Sequence, residues 1–482
     1  MIRLLFLLLL PGWLCAQGLR PNDARYAALP QKRTGEAVQP LPPRVDLSRY
    51  VPTVINQGRD GTCVAVSVGY YLRTMLEAIG RGEANRQQID RLRFSPAYLY
   101  NAVKDNTDST CADGIDMGQA LEWVKKHGLP SLAAAPFPNC RPPTAIPAQA
   151  NSRLLDYVRL FGITDSEGEK IYATKKALSE NSPVVVGIQT TSSMKNLAFS
   201  RSFVPRLQAF ASVFTPGENA TARTGFSRWQ PQQAAALSTG HAVCVVGYDD
   251  ALFGTGAFRL INSWGRSWGD GGYFWMTYPD FARFTKYGYQ AYGPPANNRQ
   301  GVTLSADLTL SLGALVGSGA VPFRRVADPS GLAVYAIREP QRTGTPYKFV
   351  ANVSQPTYLY LLTATAADTV AARLFPEPGF SPLISPNTQI ELPNDSLLVL
   401  RGKPGREYAL FLFSATELPI DAFVRKINSQ TGTFPTRVRL AMGNALLPAG
   451  QVSYKEKKMG FFLRKPYSGR VVPLLVTINH VR

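Results

Sequence analysis

The sequence predicts an α+β fold followed by an all-β, sandwich-like domain, and three observations carry that expectation. Apolar residues after Cys63 recur at helical spacing through Leu72, Met75, Leu76 and Ile79, and Met117, Leu121 and Val124 repeat the pattern in a second stretch. Short apolar runs at 183–188 and 242–247 read instead as buried strands. Beyond the turn-forming Gly293-Pro294-Pro295-Ala296-Asn297-Asn298, strand-like runs are separated by Pro, Asn and Gly. The 482 residues, 45% hydrophobic and 18% charged, are ordinary globular material and too many for one domain.

In chain order, Met1-Ile2-Arg3, the apolar stretch 4–10 and the small-residue exit at Cys15-Ala16-Gln17 read as a secretory signal peptide over residues 1–16, too short to span a bilayer. Cleavage after Ala16 is the reading adopted. Cys15 offers a lipid anchor as the alternative, against which Trp13-Leu14 stand where such a signal uses small residues. Residues 17–43, rich in Pro, Arg and Ala without periodicity, read as a tether. The main domain is expected over 44–292. It opens with a helix from Cys63 that Gly80 and Gly82 stop, and carries a second helix ending at His127-Gly128 and a short helix over 170–178. Residues 194–240 lack clear strands and read as an insertion, either a surface excursion or a lid. A linker at 293–301 leads to an accessory β domain at 302–482.

The chemistry gathers around Asn56-Gln57-Gly58-Arg59-Asp60-Gly61-Thr62-Cys63. A thiol at a helix N-terminus faces unpaired backbone N–H groups and the positive end of the helix dipole, which favours a thiolate and predicts a lowered pKa. Gln57 can offer an amide donor to a developing oxyanion, and the backbone N–H of Cys63 a second. A nucleophile also needs a proton carrier and a group to orient it. Of the three histidines, His241 stands at the start of a strand-like run after Gly240, and Asn262 in Asn262-Ser263-Trp264-Gly265 follows another. His127 reads as a cation beside a helix C-terminus. His480 reads as a strand residue facing solvent or a partner. Cys244, inside an apolar strand, reads as a buried thiol.

These segments, in this order, resemble the papain-like cysteine peptidase family, in its bacterial secreted branch. The resemblance covers roughly residues 44–292 and includes Gly265, Trp268, Gly269, Gly272 and Tyr273 after Asn262, Phe94-Ser95-Pro96-Ala97-Tyr98-Leu99-Tyr100, and Cys244-Val245-Val246-Gly247-Tyr248-Asp249-Asp250. It implies a two-lobe fold, helical lobe plus β-barrel lobe, with Cys63, His241, Asn262 and Gln57 catalytic and Gly61, Gly114, Gly240 and Trp264 binding substrate. It also implies that Cys111 and Cys140 pair in an oxidising compartment. His241 and Asn262 follow Cys63 at separations longer than the roughly 130–150 residues common in the family. Asp60 and Val64 replace a disulfide cysteine and a tryptophan, and Gly240 an Asp or Asn. A carboxylate at Asp60, if turned inward, would oppose the thiolate. Residues 17–43 are expected to leave no room for the family's long helical pro-region. The 302–482 region resembles an uncharacterised β-sandwich domain found behind bacterial secreted peptidases, through Tyr358-Leu359-Tyr360, Phe375-Pro376, Pro386-Asn387 and Gly405-Arg406-Glu407-Tyr408.

The function expected is a secreted cysteine endopeptidase, extracellular or periplasmic, acting on polypeptides without cofactor or metal. A formal net charge of +19 favours acidic surfaces such as an anionic cell envelope or glycan, so cell-surface association is part of the expectation. No nucleic-acid motif accompanies the charge, and no transmembrane segment is expected beyond the leader. Two other classes stay open: an acyl transferase using the same site, separated by transfer to added amines, and an inactive peptidase-like protein that binds through its β domain, separated by an absence of thiol-dependent turnover.

Overall fold

The computed structural model describes residues 18–33, 40–141, 146–149, 152–195, 197, 226–231, 240–294, 304–313, 321–366, 370–386, 388–393, 396–465 and 470–482. The signal peptide, most of the 194–240 insertion, most of the linker and Asn387 of the Pro-Asn turn lie outside the described residues.

The first unit has the two-lobe organisation expected of it, a helical lobe packed on an antiparallel sheet. Its long helical run begins at Cys63, passes through a wide π-type turn at Val66–Leu72 and continues as Arg73–Arg81. Gly82 ends it at a φ of +63°, a left-handed stop that costs glycine little. Pro96–Val103 starts where Ser95 caps the Tyr98 N–H and Pro96 occupies the first turn. Met117–His127 is capped by Asp116 and closed by Gly128. Leu99, Leu121 and Val124 from these helices join Val64, Val68, Leu72 and Met75 in one buried cluster.

The sheet runs in the order Asp156–Arg159, Thr285–Tyr292, Val184–Gln189, Gly240–Asp249, Ala257–Ile261, Tyr273–Thr277, with Arg44–Asp46 added beside Gly240–Asp249. Its central strands Val184–Gln189 and Gly240–Asp249 are buried almost throughout, as expected of strands covered on both faces. Val184, Val186, Val243 and Val245 lie in the same cluster as the helical residues, so the lobes share one core. Glu167–Ser179, opened by a reciprocal Ser166–Glu169 capping box, is the short helix expected near 170–178.

The C-terminal region stacks two sheets. Leu304–Leu312, Pro346–Val353 and Met459–Leu463 belong to one; Thr357–Thr365, Gly405–Ser414 and Val471–Val481 form the centre of the other. Leu308, Phe349, Leu361, Phe411 and Leu474 fill the space between them. To this sandwich the structure adds two helices, Ile420–Asn428 and Phe434–Met442. Ile427 and Val438 pack on Tyr360, Leu362, Leu410 and Leu412, the outer face of the second sheet. Thr433 at the cap and Pro435 in the first turn were the local signal for the second helix.

Two expectations change. Residues 18–33 are not a loose tether: they form a short strand, a helix at Asp23–Ala28 and a bridging segment, because Tyr26 buries its ring and its hydroxyl donates to the Phe161 carbonyl at 2.6 Å. His480 faces neither solvent nor a partner. It is 1% exposed, with Nδ1 3.0 Å from Glu407 and Nε2 2.8 Å from Thr343, because its strand lies between two neighbours.

Among the described residues no helix is long and apolar enough to cross a membrane.

Candidate active site

Cys63 and Gln57 come from the loop and helix of one lobe, His241 and Asn262 from the sheet of the other. His241 is the second residue of Gly240–Asp249 and pairs with Ile188. Asn262 directly follows Ala257–Ile261, the next strand across, whose register sets Ile261 opposite Cys244. Antiparallel pairing therefore carries the end of one strand back to the start of the other.

The resulting contact is specific. His241 Nε2 lies 2.8 Å from Asn262 Oδ1, and the Ser263 backbone N–H donates to the same oxygen at 2.8 Å. Two donors converging on one atom identify it as the amide oxygen, so Nε2 carries the ring proton and Nδ1 is the lone-pair nitrogen. Nδ1 is buried without a hydrogen-bond partner. Trp264 covers the ring at 4.9 Å between centroids, and Trp268 stands edge-on to Trp264 at 5.1 Å.

Cys63 is fully buried and outside any disulfide. Burial pushes its thiol up to about 12, only partly offset by hydrogen bonds from the backbone of Ala242, Val64 and Cys63 itself. The expected lowering is thus reversed, since desolvation of a charged sulfur outweighs the field of a helix end whose first α-turn is three residues long. Ala242 is the residue after His241, so its contact with the sulfur brings the thiol beside the imidazole's strand. Burial likewise lowers His241 to about 4, against the Asn262 hydrogen bond, which favours the charged ring. In this closed arrangement burial disfavours the charged form of both groups.

Gln57 is 2% exposed. Its Nε2 donates to the Asp60 carbonyl at 2.7 Å, its Oε1 accepts from the Ser263 hydroxyl, and its backbone N–H donates to the Ser263 carbonyl at 2.8 Å. One amide hydrogen is left for another acceptor. Ser263, which the sequence reading passed over between Asn262 and Trp264, thus ties Gln57 to the strand end carrying Asn262. The Asp60 carboxyl is raised by burial and by Asp108.

The glycines meet on one surface. A Cβ at Gly61 would stand 2.6 Å from the Ala112 carbonyl oxygen, and one at Gly114 (φ +78°) 2.3 Å from the Gly18 carbonyl oxygen. Gly61 N–H donates to the Cys111 carbonyl at 2.6 Å, and Cys111 is joined to Cys140 by a disulfide. Gly240 lies against Leu19. Cys244 is a buried thiol whose pKa burial raises. His127 ends its helix stacked on Trp123. No group of three or more His, Cys, Asp or Glu among the described residues could hold a metal.

A thiol, an imidazole whose Nδ1 has no hydrogen-bond partner and an amide bonded to its Nε2 are the groups that a cysteine-type peptidase uses. Residues 223–285, which include His241 and Asn262, match the papain family cysteine protease model. The chain is 27% identical over 259 residues to a cathepsin L-like proteinase of Fasciola hepatica, covering 53% of this chain and 66% of that protein. It is 28% identical over 245 residues to cysteine endopeptidase Rep1 of Oryza sativa subsp. japonica, covering 50% and 54%. The chain therefore spans somewhat under two thirds of one relative and about half of the other. Among solved structures it resembles xylellain, a cysteine protease from Xylella fastidiosa, at 23% identity and a TM-score of 0.42, covering 58% of this chain and 96% of that one.

Proposed function

We propose that this chain is a secreted cysteine endopeptidase in which Cys63 is the nucleophile, His241 the proton carrier, Asn262 its orienting group, and Gln57 with the Cys63 backbone N–H the oxyanion donors. The observation that carries the reading is the 2.8 Å contact between His241 Nε2 and Asn262 Oδ1, which leaves Nδ1 as the one ring nitrogen able to take a proton from sulfur. Once the site admits water and substrate, the cost of charging both groups falls and the thiol proton passes to Nδ1. The thiolate attacks the peptide carbonyl, forming the C–S bond and an oxyanion. Collapse breaks the C–N bond while His241 gives its proton to the leaving amine. Water, deprotonated by His241, then opens the thioester, releasing the acid and restoring the thiol.

Gly61, Gly114, Gly240 and Trp264 are read as the cleft surface: the three glycines, lacking side chains, let a substrate backbone lie close, and Trp264 covers the His241 ring. Secretion rests on the residue pattern of 1–16, and the positive charge suits an anionic envelope or glycan. The test is hydrolysis of a peptide library by the mature protein, with and without Cys63→Ala. A folded protein whose turnover survives Cys63→Ala would overturn the assignment.

A further inference from the structure

The cleft surface is already occupied. Leu19–Arg20 pairs in parallel with Ile115–Asp116, and the Ile115 N–H donates to the Gly18 carbonyl at 3.0 Å. A Cβ on Gly18 would stand 1.9 Å from the Gly61 carbonyl oxygen, and the Leu19 side chain comes within 2.8 Å and 3.1 Å of where Gly187 and Gly240 would carry theirs. Residues 18–20 thus lie on Gly61, Gly114 and Gly240 together, where a substrate backbone would run. Cys63, His241 and Asn262 are 0% exposed. A site that must receive a polypeptide is closed.

The same segment continues to a junction of three parts of the chain. After the helix anchored by Tyr26, residues 30–33 run between the strand residue Arg159 and a loop of the C-terminal β domain. Gln31 N–H donates to the Gly379 carbonyl at 2.9 Å, the Ser381 N–H to the Gln31 carbonyl at 2.9 Å, and the Lys32 N–H to the Arg159 carbonyl at 2.8 Å. Lys32, 5% exposed, forms an ion pair with Glu180 and donates to Gln290 at 2.6 Å and to Ser385 of the β domain at 3.3 Å. Arg33 pairs with Glu377 at 3.0 Å and stacks over Phe380 at 4.5 Å. A lysine is buried this deeply only when its charge is met, so the junction is a specific fit.

We propose that the C-terminal β domain is a latch: by gripping residues 30–33 it holds residues 18–20 across the cleft as a strap, and loosening that grip opens the site. The inference rests on the peptidase reading for the identity of the cleft. Its test separates the two, because access to the Cys63 thiol can be measured without any turnover.

In the full chain, Leu19→Ala weakens the strap in the cleft, and the double variant Glu377→Ala/Phe380→Ala weakens the grip from the β domain alone. Glu456→Ala removes an ion pair of the same domain outside the junction and serves as control. Iodoacetamide labelling of Cys63 is followed by mass spectrometry, with Cys244, also buried, reporting that the fold is intact. If Cys244 becomes reactive in the double variant, Glu377→Ala alone replaces it. A shift in the closed-to-open balance raises labelling in proportion, so both weakening variants are expected to label Cys63 at least about tenfold faster than wild type and Glu456→Ala at the wild-type rate. Acceleration by Leu19→Ala but not by the β-domain variants would overturn the latch, and acceleration by neither would overturn the strap as well. Faster labelling with no hydrolysis of a fluorogenic peptide amide by any variant would leave the latch standing and remove the peptidase reading.

Discussion

His241 and Asn262 meet at 2.8 Å across two neighbouring antiparallel strands, and the amide oxygen that accepts the ring proton also accepts the Ser263 N–H. The imidazole is thereby held by Nε2, and Nδ1 is left without a hydrogen-bond partner. If this contact orients rather than reacts, its loss should be partial. Asn262→Ala is expected to lower kcat while leaving measurable turnover, whereas Cys63→Ala and His241→Ala abolish it. Gln57→Ala, which removes one of the two proposed oxyanion donors, should cost about 100- to 1000-fold in kcat. Steady-state kinetics on one peptide amide, with the latch loosened where needed, would compare all four.

Burial makes the closed form sensitive to both ends of the pH scale. His241, lowered to about 4, stays neutral in the folded protein while the unfolded chain takes up a proton near 6.5, so folding stability falls as pH drops from about 6.5 towards 4. Burial also works against the Glu180 carboxylate, but the charges of Lys32 and Lys176 outweigh it and keep that carboxyl below its ordinary value. Its contribution is likewise lost in acid. At the other end, Cys63 raised to about 12 costs stability as pH rises above about 9. Urea midpoints from pH 4 to 10 should therefore peak between about 6.5 and 9, and His241→Ala should flatten the acid limb. An acid limb unchanged in that variant would exclude His241 as a contributor.

The Cys111–Cys140 bond closes a loop of 29 residues. In the chain-entropy view such a crosslink stabilises by about 3–4 kcal/mol. It also carries the Cys111 carbonyl that accepts from Gly61, two residues before Cys63. The variant Cys111→Ser/Cys140→Ser is expected to unfold at lower urea by about that amount, and mass spectrometry of unreduced wild type should show the linked peptides. Two alkylatable thiols at these positions in the folded protein would contradict the pairing.

Lys32 and Glu180 are buried together where three parts of the chain join. Removing one charge strands the other, so Lys32→Met should destabilise by about 3–5 kcal/mol. Lys32→Met/Glu180→Gln should recover part of that loss, and a double-mutant cycle by urea denaturation would show the coupling. Additive losses would mean that the pair does not act as a unit.

Tyr358 of the β domain donates to Asp156 of the first unit at 2.6 Å, in a cluster where Val158 and Tyr292 pack with Tyr360 and Leu412. Tyr358→Phe keeps the ring and removes the donor to a charged group. A loss of about 1.5–3 kcal/mol is expected, with m unchanged if the two units unfold together. A second transition in the variant would show instead that they unfold separately.

What the sequence by itself determined is local: a glycine-bearing loop running into a helix at Cys63, a glycine before the His241 strand, and an asparagine closing the Asn262 strand. Each follows from short-range rules of helix starts and strand periodicity, whereas the two-lobe fold and the roles proposed for Cys63, His241 and Asn262 came from the resemblance that these segments, in this order, bear to the papain-like family. Tertiary structure decided the rest, because burial and pairing sum over neighbours that are remote in the chain. Lys32 meets Glu180 across 148 positions and Ser385 across 353, and no periodicity links them. His480 looked like a surface strand residue until Glu407 and Thr343 enclosed it. The helix start at Cys63 argued for an acidic thiol, yet the sulfur is fully buried and burial penalises its charged form. The residues of the site can be read one segment at a time, but whether the site is open depends on what packs over it, and only the folded chain supplies that cover.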